Sequence, residues 1–225
     1  RPHITLNLDG DLDFDDLDKV FRSGYIKDQT GSLAGSIRLS GTLPDSILPA
    51  TALAFLRPDI SLSFRAFGAT LARRGIAIKD VNGSLSVRND LVADNLAFTF
   101  MEQHFTVNAV MKDFFPWMAG GGQNLDISGD VHVDRLVTAA FGPGEKEQQD
   151  STGTPTNLFP ADVRANILLK ADSLIFNNFR AANFSSRLTY LPYVITFNEV
   201  YANGLEGVLE GELMLGKQQE GGFIT

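Results

Sequence analysis

Residues 6–17 read LNLDGDLDFDDL, and the fold turns on whether the alternate aspartates gather round a cation or line the wet side of a β-strand. Asp9, Asp11, Asp13 and Asp15 have the spacing with which a calcium loop begins, where alternate oxygens converge on one hard ion. Leu8, Gly10, Leu12 and Phe14 stand between them, so a strand with one apolar and one acidic face explains the same letters. A second copy decides between the two. LDISGDVHVDRL at 125–136 aligns with 6–17 without gaps and keeps the apolar positions, the Gly10-Asp11 pair as Gly129-Asp130, and an aspartate before a leucine. Asp9 has become Ser128 and Asp13 has become His132, which removes two ligands. The first copy also has Phe14 where a calcium loop needs its turn glycine and Val20 where it needs a bidentate glutamate. The repeat conserves a strand face, and no metal or cofactor is expected.

Asp15 and Asp134 each precede a short helical pattern: Leu17, Val20 and Phe21 in one copy, Leu136, Ala139 and Ala140 in the other. Each is a candidate helix N-cap, with Gly24 or Gly142 near the far end. A looser echo links NGSLSVRNDLVADNLAF at 82–98 with SSRLTYLPYVITFNEVYA at 185–202, placing Leu85 opposite Leu188, Val87 opposite Tyr190 and Leu91 opposite Val194.

Outward from these copies, period-two alternation continues through most of the chain, as half-buried strands require. Leu33, Ile37, Leu39 and Leu43 share a face, as do Ile60, Leu62 and Phe64. Further strands are expected at 75–79, 83–88, 91–100, 104–111, 161–171, 173–178, 183–190, 193–202 and 207–215. Asn82-Gly83 and Asn89-Asp90 fall between segments as turn signals. Only 44–57 breaks the pattern, with Ile47, Ala50, Leu53 and Ala54 at helical spacing behind Ser46, so a short helix is expected near 46–56. GPGEKEQQDSTGTPTNLFP at 142–160 has no periodicity and reads as a flexible linker or loop between a β-rich repeat segment, 1–141, and a second β-rich segment, 161–225.

The expected fold is therefore mainly β: repeated antiparallel strands and hairpins forming a curved, twisted amphipathic sheet with a groove and few short helices. The alternative is a two-sheet β-sandwich. Apolar residues at 44% and charged residues at 20% are those of a chain that folds in water. A formal charge of −8 with no basic cluster longer than Arg73-Arg74 argues against a nucleic-acid partner. Without cysteine there is no disulfide, thiolate nucleophile or zinc-thiolate site. No apolar run reaches the roughly 18 to 20 residues of a membrane span. Ile4-Thr5-Leu6 and Gly222-Phe223-Ile224-Thr225 already read as strand, as in an excerpt of a longer chain.

NFSSRLTYLPYVITFNEVYANGLEGVLEGELML at 183–215 resembles the C-terminal region of AsmA-like proteins, in which a leucine-rich hairpin leads through a glycine-containing turn to a strand G-x-L-x-G-x-L. Leu125 to Leu136 resembles that family's strand-to-short-helix unit. The chain departs from the family in its turn, Gly204-Leu205-Glu206-Gly207, which lacks adjacent glycines. The resemblance implies a periplasmic protein of the cell envelope, anchored in the inner membrane through a segment absent from this chain and related to bridge-like lipid-transfer proteins. It implies phospholipid or another envelope lipid, and other envelope proteins, as partners in outer-membrane biogenesis. The lipid-contact face that would serve this role carries Phe184, Leu188 and Tyr190 on one strand and Leu209, Leu213 and Leu215 on another. The alternative is an interaction module that binds an envelope protein or a glycan.

Catalytic chemistry has no carrier in the sequence, and the chain is not expected to be an enzyme. His3, His104 and His132 stand apart in strand-like runs, without a second ligand at metal spacing. Gly31-Ser-Leu-Ala-Gly35 has its serine in the wrong place for a nucleophile elbow, and Gly120-Gly121-Gly122 lacks the lysine of a phosphate loop. Phe114-Phe115-Pro116-Trp117-Met118 is a dense apolar cluster read as a loop folded over the end of the core. With the aspartates on a solvated face, calcium should leave the melting temperature unchanged apart from weak ionic effects, and a saturable shift in a calcium titration would overturn this reading.

Overall fold

The computed structural model describes residues 2–14, 26–43, 55–71, 76–118, 124–138, 162–192, 194–204, 207–218 and 221–224. Among the described residues there are twelve strands, and their order in the sheet is their order in the chain. They are β1 (His3–Asp13), β2 (Ile26–Thr42), β3 (Leu56–Leu71), β4 (Ile76–Val87), β5 (Leu91–Phe100), β6 (Gln103–Lys112), β7 (Leu125–Val137), β8 (Val163–Phe176), β9 (Phe179–Leu191), β10 (Val194–Gly204), β11 (Gly207–Gln218) and β12 (Gly221–Ile224). A short helix, α1 (Phe114–Met118), follows β6. The chain divides within β7 into two compact units, Arg1–Val131 and His132–Thr225. The described strands form one sheet, so the two-sheet alternative is not what this sequence builds. Each strand takes its neighbours in the chain as its partners in the sheet.

In the first unit, antiparallel registers carry the alternation from strand to strand. Leu8 pairs with Ile37, Ile37 with Ile60, Ile60 with Val87, Val87 with Leu91 and Leu91 with Met111. Directly paired residues lie on the same face, so this row crosses the sheet as a single apolar line. The neighbouring row of Asp9, Ser36, Ser61 and Ser86 lies on the opposite face. Asp9, Asp11 and Asp13 are exposed there, Arg38 reaches to 3.8 Å from Asp9, and among the described residues no acidic or histidine group has metal-binding geometry. Asp15 lies outside the described residues.

Regular alternation is interrupted by a series of β-bulges. Asp28, Ala66, Asp80 and Asn95 have positive φ, at 53°, 47°, 54° and 46°, beside the register shifts of β2, β3, β4 and β5. A non-glycine residue in that region costs on the order of 1 kcal/mol, and a bulge also withdraws a backbone donor from the ladder. At two of these bulges an asparagine on the next strand meets the second cost. The Ala66 N–H donates to Oδ1 of Asn82 at 2.9 Å, and the Asn95 N–H donates to Oδ1 of Asn108 at 2.8 Å. Asn82 Nδ2 in turn donates to the Asp80 carbonyl at 2.8 Å. Because each bulge inserts one residue, the apolar set changes parity while staying on one face: Ile60, Leu62 and Phe64 are followed by Phe67 and Ala69.

Several sequence expectations are corrected by this pattern. Asn82-Gly83 does not turn the chain; it lies inside β4, which joins the expected strands 75–79 and 83–88. Gly83 has φ +119°, and a Cβ there would approach the Asn95 carbonyl oxygen to 2.3 Å, so the glycine serves close strand packing. Asn89-Asp90 does lie between β4 and β5 as expected. The expected strands 161–171 and 173–178 are likewise one strand, β8.

Asp134 caps no helix: it sits in β7, its carboxylate accepting from the N–H of Arg135 at 2.6 Å, and Leu136 continues the strand. Asp15, Leu17, Val20, Phe21 and Gly24, and Ala139, Ala140 and Gly142 of the second copy, lie outside the described residues. So do the linker 142–160 and residues 44–54 of the helix expected near 46–56, of which Leu56 already begins β3. Phe114–Met118 is helical rather than a loop, with Phe115 buried. The Phe115 N–H donates to the Asn89 carbonyl at 3.1 Å, and Asn89 Nδ2 donates to Asp113 at 2.8 Å, tying α1 to the β4–β5 turn.

The second unit repeats the device. Asn183 in β9 and Glu199 in β10 have φ of 52° and 53°, beside shifts in the β9–β10 register. Ser186, buried on the apolar face, donates its hydroxyl to the Asn198 carbonyl at 2.9 Å beside the second bulge. One pairing departs from the expected antiparallel pattern. His132 Nε2 meets Asp172 at 2.8 Å, Ser173 donates to the Asp134 carbonyl and Thr138 to the Ile175 carbonyl, so contacts advance in the same sense along β7 and β8. These two strands are parallel, as the long intervening segment allows.

The glycines shared by the two sequence copies have different duties. A Cβ on Gly10 would meet nothing within 4 Å, whereas one on Gly129 would lie 2.1 Å from the Asn108 carbonyl oxygen. Gly129→Ala should therefore destabilise by roughly 3 kcal/mol or more in urea denaturation, while Gly10→Ala should stay within about 0.5 kcal/mol of the parent. Equal effects would contradict this packing. Asp134→Ala, at an exposed strand position, should cost less than the roughly 0.5 to 2 kcal/mol of a lost cap.

Candidate lipid-contact face

The expected contact residues come together in the second unit through register. Leu188 of β9 pairs with Ile167 of β8 and with Phe197 of β10, and Phe197 pairs with Leu213 of β11. Tyr190 pairs with Ala165 and Ile195, and Ile195 with Leu215. Two adjacent apolar rows thus cross four strands on one face. Leu209 opposes Ala202, and Phe184 opposes Ala171. At Leu215 only the backbone position is described. Arg187, Glu210 and Glu212 alternate out of these rows and face the other way.

The six positions differ in burial. Phe184 and Tyr190 are each only 8% exposed, packed by their neighbours in the sheet. Leu188 is half-buried, and exposure rises on β11 to 39% at Leu213 and 48% at Leu209. Phe184 and Tyr190 therefore stabilise the layer, whereas Leu209 and Leu213 leave apolar surface in solvent. Burial of an apolar side chain gains about 25 cal/mol per Å², so leaving these leucines in water forgoes stability that a covering apolar group would recover.

Ile195, Phe197, Val200 and Ala202 complete the face from β10, and simple alternation splits them. Ile195 and Phe197 precede the Glu199 bulge and Val200 and Ala202 follow it, so a strict period of two assigns the pairs to opposite sides. The first unit carries a comparable surface on β1, where Ile4, Leu6, Leu8 and Leu12 are exposed.

Polar chemistry lies away from these rows. All three histidines are exposed: His3 pairs with Thr42 at 3.3 Å, His104 with Thr99 at 3.1 Å and His132 with Asp172 at 2.8 Å. A cavity of about 530 Å³ in the first unit, lined by Ser84, Ser86, Asp94, Asn108, Val110 and Ser128 among others, lies mainly on the polar side. Among the described residues no helix is long and apolar enough to cross a membrane. No protein-family model, curated protein or solved structure matches this chain.

If the rows support the layer unequally, single truncations will differ. Phe184→Ala should cost about 3 kcal/mol and Leu213→Ala about 1 kcal/mol or less in chemical denaturation, in proportion to their burial. Equal costs would show that Leu213 is covered in solution.

Proposed function

We propose that this chain is a non-catalytic segment of an envelope protein that supports lipid transport or outer-membrane lipid homeostasis by offering an apolar sheet face to acyl chains. The observation that carries this reading is the pair of uncharged rows through Leu188, Phe197 and Leu213 and through Tyr190 and Ile195, the first of which opens to solvent at Leu213 of β11. Acyl chains suit such a surface because they need no hydrogen-bond partner, and its polar groups are few: Ser186, beside the rows, spends its hydroxyl on Asn198, and Tyr190 is nearly buried. The resemblance of 183–215 to AsmA-like proteins points the same way, and with it to a periplasmic protein held at the inner membrane by a segment outside this chain. Other envelope proteins are the expected partners.

A charge placed on the face separates contact from support. Leu213→Asp, at a solvent-open position, should keep the melting temperature within a few degrees while abolishing phospholipid co-purification and binding of a fluorescent fatty acid. Phe184→Asp buries an unpaired carboxylate and should unfold the unit, at a cost of about 3 kcal/mol or more. A parent chain that binds neither probe, or a Leu213→Asp variant that binds both as well as the parent, would sink the proposal.

A further inference from the structure

Two Asn-Gly sequences lie in described strands, Asn82-Gly83 in β4 and Asn203-Gly204 at the end of β10. Such pairs are prone to spontaneous deamidation, because glycine leaves its own amide nitrogen free to approach the asparagine side chain. The fold treats the two sites differently. Asn82 is held at both ends of its amide, accepting from Ala66 N–H at 2.9 Å and donating to the Asp80 carbonyl at 2.8 Å. Gly83 is fixed by its positive φ and by the Asn95 carbonyl 2.3 Å from where a Cβ would stand. Asn203 has one described side-chain bond, accepted from the Tyr201 hydroxyl at 3.1 Å, and its glycine is the last residue of the strand.

We propose that Asn82-Gly83 is a modification site gated by the bulge, protected while β3 and β4 stay paired and converted to aspartate or isoaspartate when they open. In the reaction the Gly83 backbone nitrogen, deprotonated by hydroxide, attacks Cγ of Asn82. An N–Cγ bond forms, the Cγ–Nδ2 bond breaks, and the NH2 group takes up one proton from water to leave as ammonia, regenerating the hydroxide. Water then opens the cyclic imide at either carbonyl, giving aspartate or, with an extra backbone methylene, isoaspartate. Cyclisation requires the side-chain amide to swing toward the Gly83 nitrogen, which the bonds to Ala66 and Asp80 resist.

The product cannot restore the clamp. An aspartate at 82 keeps an acceptor for Ala66 but loses the donor to Asp80, setting a carboxylate oxygen against a carbonyl oxygen. Isoaspartate lengthens the backbone where β4 pairs with β3 on one side and β5 on the other. An aspartate at 203 differs, because its carboxylate still accepts from Tyr201, although isoaspartate there would lengthen β10 between Ala182 and Val208 as it lengthens β4 at 82. Conversion to aspartate at 82 thus turns a transient opening into a lasting one, while conversion to aspartate at 203 leaves its side-chain bond in place.

Peptide mapping by mass spectrometry of the folded chain at mildly alkaline pH, beside the same chain in urea, tests this. In urea the two asparagines should convert at similar rates, and in the folded chain Asn82 should convert about tenfold more slowly than Asn203, since it must wait for the bulge to open. Asn82→Asp should lower the melting temperature and Asn203→Asp should not. Conversion of Asn82 at least as fast as Asn203 in the folded chain would overturn the proposal, as would an Asn82→Asp variant that melts with the parent.

Discussion

Backbone pairing between consecutive strands is the interaction on which everything else in this molecule rests. The buried apolar side chains among the described residues are few, and five of them are alanines, Ala93, Ala109, Ala171, Ala181 and Ala202, beside Val81, Phe115, Leu125, Val133, Phe184 and Tyr190. A single layer cannot interdigitate with a second across a shared interior, so ladder hydrogen bonds and same-face rows must do what a core does elsewhere. Each in-register apolar pair contributes roughly 0.2 to 1 kcal/mol, and the rows repeat such pairs strand after strand.

That dependence explains the care with which the bulges are made. A ladder that carries the stability cannot leave a donor unmet, and Asn82 and Asn108 accept the N–H groups that Ala66 and Asn95 turn out of register. Each bulge also increases local twist and bends its strand, which supplies curvature within a unit without a break in the apolar face. The β4–β5 and β9–β10 hairpins place the device alike: Asp80 and Asn183 stand at the same distance before Val87 and Tyr190, the residues that their sequences align.

Much of the layer was legible in the letters, because alternation is a direct print of which side chains face which way. The solvated aspartates, the strand runs and the grouping of Leu188 with Tyr190 and of Leu209 with Leu213 follow from period two alone. The bulges were not legible, since Ala66 and Glu199 adopt a backbone region that their side chains disfavour, and only the neighbouring strands impose it. Asn82-Gly83 has the composition of a hairpin turn and serves inside a strand. Asp134 has the composition of a cap and stays in β7, where pairing with β8 extends the strand past it. The parallel course of β7 and β8 was hidden for another reason: strand direction is set by the path between strands, and no pattern within either strand records it.

The same logic explains why alternation could not tell an open face from a closed core. Both need leucine at every second position, and they differ only in what lies above. Along one strand order, exposure separates them. Phe184 and Tyr190 sit where neighbouring strands supply contacts from both sides and are nearly closed, whereas Leu209 and Leu213 are open to water in a strand that also carries the exposed Val208 and Met214 on its other face. Glu210 and Glu212 keep that strand soluble from the opposite face, and Gly211, across from Val200, leaves a shallow place between the two leucines. A surface built this way is apolar on one side and carries Glu210 and Glu212 on its reverse. The sheet can hold it because its stability comes from pairing rather than from burying every leucine.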